Sequence, residues 1–228
     1  MILSANQPYF APFPGFFYKA HLCDVFVLLD SVQFPRGTTW ITRNRFKNDQ
    51  GPLWMTIPVW KKGLGLQNIG DVRICHEGHW AKKHLASLRQ AYAHAPYFNE
   101  HVNFVRKMFS NQYDKLIDLN LAITRYLIKH LAVQADIKLQ SGIGIRAGGA
   151  QLLIDLCHYF GASTFLAQMP AAKYLNSDLF QQAGILLKFF KPTTCIYPQL
   201  WGDFVYDLSA FDLLFNCGPK ARDILVAD

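Results

Sequence analysis

Apolar residues fall in short unbroken runs at the two ends of the chain and in helical periodicity through its middle. Met1-Ile2-Leu3-Ser4 reads as a buried strand, and Asn6, Gln7, Pro8, Pro12, Pro14 and Gly15 mark the loop that follows it. Residues 16–22 predict a short helix. Residues 24–30, Asp-Val-Phe-Val-Leu-Leu-Asp, have the β-branched, continuous apolar character of an interior parallel strand. Strand, loop, helix and strand make a βαβ unit, in which ligands bind beyond the carboxyl ends of the strands. That places Asn6, Gln7, Asp30 and Gln33 in one crevice.

Beyond this unit, Pro35 and Gly37 form a turn, and residues 33–59 predict a hairpin or a loop plus a strand at 53–59, entered through the Asn48–Pro52 turn. Residues 60–74 are glycine-rich and end in a short expected strand; Gly63 and Gly65 lack the spacing and following helix of a phosphate loop. From 77 to 133 the period becomes helical. Trp80, His84, Leu85, Leu88 and Tyr92 share one face, a second helix covers about 99–109, and a third covers 113–131 with a broad apolar stripe. The strand–helix alternation then returns: strand 137–140, glycine-rich loop 141–149, helix 150–160 closed by Gly161, strand 164–167, loop 170–174, helix 177–182, strand 185–190, and a last helix near 209–215. The expected architecture is a Rossmann-like three-layer α/β fold with a mostly parallel sheet. It is read as one domain over 1–228, with a helical insertion or subdomain at 77–133.

Composition narrows the function classes. Half the 228 residues are apolar and 17% are charged, which is a folded chain with enough length to bury a core. No apolar run is long enough for a membrane span, and residues 1–15 do not read as a secretory signal. Five scattered cysteines predict reduced thiols and a cytoplasmic setting rather than a disulfide framework. The net charge of +7 is spread over isolated pairs such as Lys61-Lys62 and Lys82-Lys83. Tracking a phosphate backbone needs clustered cations, so a small anionic or nucleotide-linked metabolite fits better than nucleic acid. A homo-oligomer is compatible with this surface.

Candidate chemistry is concentrated at the strand ends. Asn6, Gln7 and Tyr9 offer amide and hydroxyl groups that recognise a carboxylate, an amide or a base edge, or else satisfy loop backbone. Lys19, on the first helix, can reach an anion over the strand ends or sit exposed. Asp30 is placed for a site role, whereas Asp24 fits a turn. Arg43 and Asn44 face either a ligand or solvent, and Lys173 can close on an anion together with the 141–149 loop. Lys19 and Asp30 are the catalytic candidates. Cys75, His76, His79 and His84 have metal-ligand chemistry, but no second ligand pair accompanies them, so no metal is expected. Cys217 follows a helix instead of heading one and reads as a small buried residue.

The combination of Gln7-Pro8-Tyr9, Pro12, Gly15, Lys19, Asp24-Val25-Phe26-Val27, Asp30 and Val32-Gln33-Phe34 resembles the WbqC-like protein family. Arg43-Asn44-Arg45, Lys83-His84-Leu85, Tyr92, Ala95-Pro96-Tyr97-Phe98, Tyr197-Pro198-Gln199 and the stretch from Leu208 to Gly218 extend the resemblance over nearly the whole chain. It implies a bacterial protein of surface-polysaccharide (O-antigen) or specialised-metabolite biosynthesis. It further implies a transferase attaching a small acyl or aminoacyl group to a nucleotide-linked sugar or related metabolite. Two departures stand out: Asn6 replaces the family's usual histidine, and Ala167-Gln168-Met169 precedes Pro170 where a Ser-Gly-Pro run is usual. The opening order is also similar to nucleotidylyltransferase-like α/β proteins such as pantothenate synthetase, which implies ATP or another nucleotide as cofactor and Lys173 as a phosphate-binding lysine. Aligned on Gly15, Phe13 and Phe16 occupy the two histidine positions of that group's phosphate-binding motif, and phenylalanine donates no hydrogen bond. An ATP-dependent ligase or adenylyltransferase and a non-catalytic metabolite- or partner-binding protein therefore remain as alternatives.

Overall fold

The computed structural model describes residues 1–110 and 113–227; residues 111–112 of the expected helical insertion lie outside the described residues. In chain order the elements are β1 (Ile2–Asn6), α1 (Pro14–His21), β2 (Val25–Leu28), β3 (Arg43–Asn48), β4 (Gly51–Thr56), α2 (Trp80–Tyr92), α3 (Phe98–Met108) and α4 (Leu116–His130). They continue with β5 (Asp136–Leu139), α5 (Gly149–Phe160), β6 (Thr164–Gln168), α6 (Ser177–Gln182), β7 (Leu186–Phe190), α7 (Ala210–Cys217) and α8 (Ala221–Val226). Five strands form one parallel sheet in the order β5-β2-β1-β6-β7. Alternate residues of β2 feed opposite layers: Phe26 and Leu28 pack with α1, α4, α7 and α8, while Val25 and Val27 pack with α5 and α6. This is the three-layer α/β architecture, and its interior strands read as continuous apolar runs because both faces are covered.

Two features of this topology position the site. From β1 the chain steps outward to β2 and β5, and α5 then carries it back to β6 on the other side of β1. The strand order reverses between β1 and β6, and the loops leaving their carboxyl ends diverge there to open a crevice. Secondly, the whole stretch 29–135, with the antiparallel β3–β4 hairpin and α2 to α4, lies within the connection between the adjacent strands β2 and β5.

Local chemistry explains where elements begin and end. Pro14 opens α1 at a position where a helix needs no amide donor, and Gly161 ends α5 in the left-handed conformation at φ 66°. β4 stops before Pro58 instead of running to residue 59; Val59 makes only an isolated bridge to Ile74. The strand expected at the end of 60–74 is reduced to isolated bridges, Ile74 with Val59 and Arg73 with Lys115, after a 3-10 turn at Ile69–Asp71 whose Ile69 is buried with Val72 in the core.

The β1–α1 loop is held by distant side chains. Asn44 is fully buried and donates from Nδ2 to the carbonyls of Phe10 (3.1 Å) and Ala11 (2.7 Å). Asn120, equally buried, donates to Pro8 (2.8 Å) and Ile41 (2.9 Å). The Ala210 amide donates to Pro12 at 2.8 Å, and the Phe10 amide donates to Trp40 at 2.9 Å. Ala11 sits at φ 43°, a conformation an alanine adopts only when its surroundings enforce it. Asn44→Leu strips donors from two buried carbonyls and should cost about 3 kcal/mol of stability in urea unfolding. A loss below about 0.5 kcal/mol, the level of an ordinary surface substitution, would show that the loop holds without this clamp.

Candidate functional site

At the strand-order reversal lies a cleft of about 670 Å³. Asn6, Gln7 and Tyr9 line it from the end of β1, Gln168, Pro170 and Ala171 from the end of β6, and Gly149 and Ala150 from the start of α5. Lys19 lies at its base, with only 5% of its surface exposed. The lysine amine donates to the Ala5 carbonyl at 2.7 Å and to Asn6 Oδ1 at 3.3 Å. Asn6 is oriented in turn by its own amide, which donates to the Gln7 carbonyl at 2.9 Å. Burial pushes the Lys19 amine down to about 8. Its neighbour Cys23 is pushed up to about 12, also by burial, and remains a thiol across the range in which Lys19 titrates. Tyr9 is raised by burial as well, and its ring packs against Phe16 at 6.0 Å.

The structure brings Asn6, Gln7, Tyr9 and Lys19 to this one cleft and puts the other candidates elsewhere. Asp30 lines a separate cleft of about 310 Å³; its Oδ1 accepts the Ser141 amide at 2.8 Å and its own carbonyl accepts the Gly70 amide at 2.7 Å. Gln33 is exposed and forms an isolated bridge with Asn68. The end of β2 still reaches the cleft through Leu29 and Val32, but Asp30 and Gln33 are engaged by Ser141 and the 68–71 segment instead. Arg43 stacks its guanidinium over Trp54 at 3.6 Å on the hairpin, and Asn44 is the loop clamp already described. Lys173 is exposed on the turn after β6, next to Tyr174 at the cleft mouth.

The metal-like histidines make backbone contacts: His76 Nε2 lies 2.9 Å from the Tyr113 carbonyl and His84 Nε2 2.9 Å from that of Thr56. Among the described residues no three of His, Cys, Asp and Glu gather as a metal set. Cys217 is buried, with its thiol pushed up to about 11.

Gly149 and Tyr174 end the 141–149 and 170–174 loops expected to close over an anion, whereas Gln168 was not foreseen as a cleft residue. The signal for Gln168 was its place at the end of a strand paired directly to β1, which needs the strand order to be known. A second cavity, a groove of about 520 Å³, was also missed. It runs from the first turn of α1 (Phe13, Pro14, Gly15) across Gln168 and Pro170, which it shares with the cleft, to residues 191–208. Behind the groove lies a buried polar network. Tyr92 donates to Asp212 Oδ2 at 2.6 Å and accepts the Lys47 amide at 3.0 Å, and Asn216 donates to the Asp212 carbonyl at 2.8 Å. The Lys47 amine donates to Gln199 Oε1 at 3.1 Å and to the Asp203 carbonyl at 2.6 Å. Burial raises the Asp212 carboxyl and lowers the Lys47 amine.

The WbqC-like protein family model matches residues 7–224. The chain belongs to the WbqC-like protein family. It is 29% identical over 221 residues to the uncharacterized protein Rv1507c of Mycobacterium tuberculosis, covering 96% of this chain and 95% of that one. No solved structure matches it. Within this WbqC-like chain, Asn6 is an acceptor for Lys19, and Gln168 forms the wall shared by cleft and groove. Among the described residues, no helix is long and apolar enough to cross a membrane.

The depressed lysine has a pH signature. Below about 8 the folded protein keeps a proton on a buried amine, whereas the unfolded chain keeps it at no desolvation cost until near 10.5. Between these values the unfolded state binds more protons, so stability rises with pH. Lys19→Met removes this dependence. The stability of wild type relative to Lys19→Met should therefore increase by about 2 kcal/mol from pH 8 to pH 10, measured by urea unfolding at each pH. A difference independent of pH would contradict the depressed amine.

Proposed function

We propose that the protein is a transferase that attaches a small acyl or aminoacyl group to a nucleotide-linked sugar or related metabolite, with Lys19 carrying the proton. The observation that supports this most is the geometry of the Lys19 amine. A neutral amine has two N–H groups and one lone pair; Ala5 and Asn6 take the two hydrogens, which leaves the lone pair for the cleft. With its amine near 8, Lys19 has about a tenth of its population neutral at pH 7, far more than an ordinary lysine, and so is closer to the proton affinity that efficient proton transfer favours.

The step balances with these groups alone. The lone pair of Lys19 takes a proton from the acceptor's amine or hydroxyl as that atom bonds to the acyl carbon. The resulting ammonium, still donating to Ala5 and Asn6, gives its third proton to the leaving group as the acyl bond to the donor breaks. Gln7, Tyr9 and Gln168 supply donors and acceptors to orient the acceptor, and the start of α5, which has no acidic residue in its first turn, favours an anionic group beside it. The ATP-dependent ligase has less support: position 16 is a buried phenylalanine and position 13 a phenylalanine in the groove wall, so neither holds a phosphate.

The experiment pairs acyl-CoA donors, or free acids with ATP, with nucleotide-linked amino sugars and detects products by mass spectrometry. Transfer should occur with one such pair, and Lys19→Met should lower kcat by about 100-fold or more while leaving acceptor affinity within about threefold. Release of AMP or pyrophosphate would favour the ligase. Binding of acceptors without turnover of any pair would make the protein a binding module, and an unchanged kcat in Lys19→Met would remove Lys19 from the chemistry.

A further inference from the structure

We infer that the groove beside α1 holds an apolar acyl group larger than acetyl, the tail of the donor whose carbonyl is processed at Lys19. The inference rests on the transfer reading above and names the class of group transferred. The groove's volume of about 520 Å³ lies within the range of small-molecule pockets. Its apolar walls are Phe13, Pro14, Met169, Pro192, Phe204 and Val205, with the buried Tyr197 among them. The apolar walls outweigh the polar lining residues (Gln168, Lys191, Thr193, Thr194 and Asp207), so most of the affinity of this groove comes from apolar surface.

The groove opens toward the reacting position along one helix. Gly15 lines the groove and Lys19 lines the cleft, and they lie four residues apart on the same face of α1. At about 1.5 Å of rise per residue this is a separation of about 6 Å along the axis, the span of a few carbon–carbon bonds. Gln168 and Pro170 border both cavities, so the passage has walls on two sides. Glycine at position 15 keeps that passage open. A Cβ there would lie 2.8 Å from the Phe13 ring and 3.4 Å from Pro192, both of them groove walls, so any side chain displaces the lining.

The groove is also preformed. Gln199 accepts the Val205 amide at 3.0 Å and donates to the Val205 carbonyl at 2.9 Å, which closes the 199–205 loop into a wall. Lys47 fixes the same Gln199 from β3 and also holds the Asp203 carbonyl. These are the contacts of the Tyr197-Pro198-Gln199 motif, and the acyl reading gives that motif a function: it builds a rigid apolar receptacle that need not be ordered at the moment of binding.

Cys195 lines the groove and reports its occupancy. The protein is treated with iodoacetamide at pH 9 in the presence of straight-chain alkanoates from butanoate to octanoate, and alkylation of Cys195 is followed by peptide mass spectrometry. The acids should slow Cys195 alkylation, with the protecting concentration falling about fourfold per added methylene, the equivalent of ~0.8 kcal/mol for each buried CH2. By calorimetry, Val205→Trp should abolish this chain-length dependence, and Gly15→Ala should weaken octanoate at least fivefold. Lys19→Met should retain octanoate binding, which separates the groove from the transfer chemistry: a failed transfer with intact chain-length dependence faults only the mechanism. Protection that does not grow with chain length, or octanoate affinity unchanged in both Val205→Trp and Gly15→Ala, would overturn the groove's assignment even if transfer is observed.

Discussion

The constraint on which the rest depends is the need to satisfy the backbone of the β1–α1 loop. That loop carries Gln7 and Tyr9 to the cleft, yet its carbonyls at positions 8, 10, 11 and 12 have no strand or helix partner. Each is taken by a group from elsewhere: Asn120 on α4, Asn44 on β3 for two of them, and the amide at the start of α7. A buried carbonyl without a donor is costly, so the loop keeps one conformation only while all three elements are docked on it. The long excursion between β2 and β5 thus has a physical task beside the site. It delivers the hairpin and helix whose buried amides hold the functional loop.

The same economy explains Lys19. Burying an amine among the aromatic residues of α1 and β2 destabilises the charged form, and two acceptors at the end of β1 offset only part of that cost. A methionine would fill the position without the penalty. A lysine kept there at a loss of stability, at the base of a cleft on the carboxyl edge of the sheet, fits a group retained for its proton rather than for packing. In the proposed reading, cleft and groove divide the work along one helix face, with polar recognition on the Lys19 side and apolar recognition on the Gly15 side.

Much of the scaffold was legible in the sequence. The runs at 25–29 and 165–167 are apolar throughout because each strand is covered on both faces, and the period-3.6 stripe after residue 113 marks α4 unambiguously. Lys19, Asn6, Gln7 and Tyr9 could be gathered because one βαβ unit brings them together within 20 residues. Asp30 and Gln33 could not be separated from them, since their direction depends on how residues 30–34 turn toward 67–70, a tertiary choice without a local signal. Asn44 was ambiguous for a related reason: a buried amide that binds carbonyls 33 and 34 residues away has the same letter as one that binds a ligand. The groove was invisible because its walls come from α1, the end of β6 and a loop near residue 200.

The central claim is that Lys19 is an amine in the cleft, held by Ala5 and Asn6, that gives up its proton far more readily than an ordinary lysine. The direct measurement is an NMR titration of the lysine side chains in protein labelled with 13C at Cε, with the Lys19 signal assigned from Lys19→Met. The account predicts that this one signal titrates near pH 8, apart from the other lysines, and that Asn6→Ala moves it. A Lys19 signal that titrates with the rest, near the ordinary lysine value of about 10.4, would contradict it.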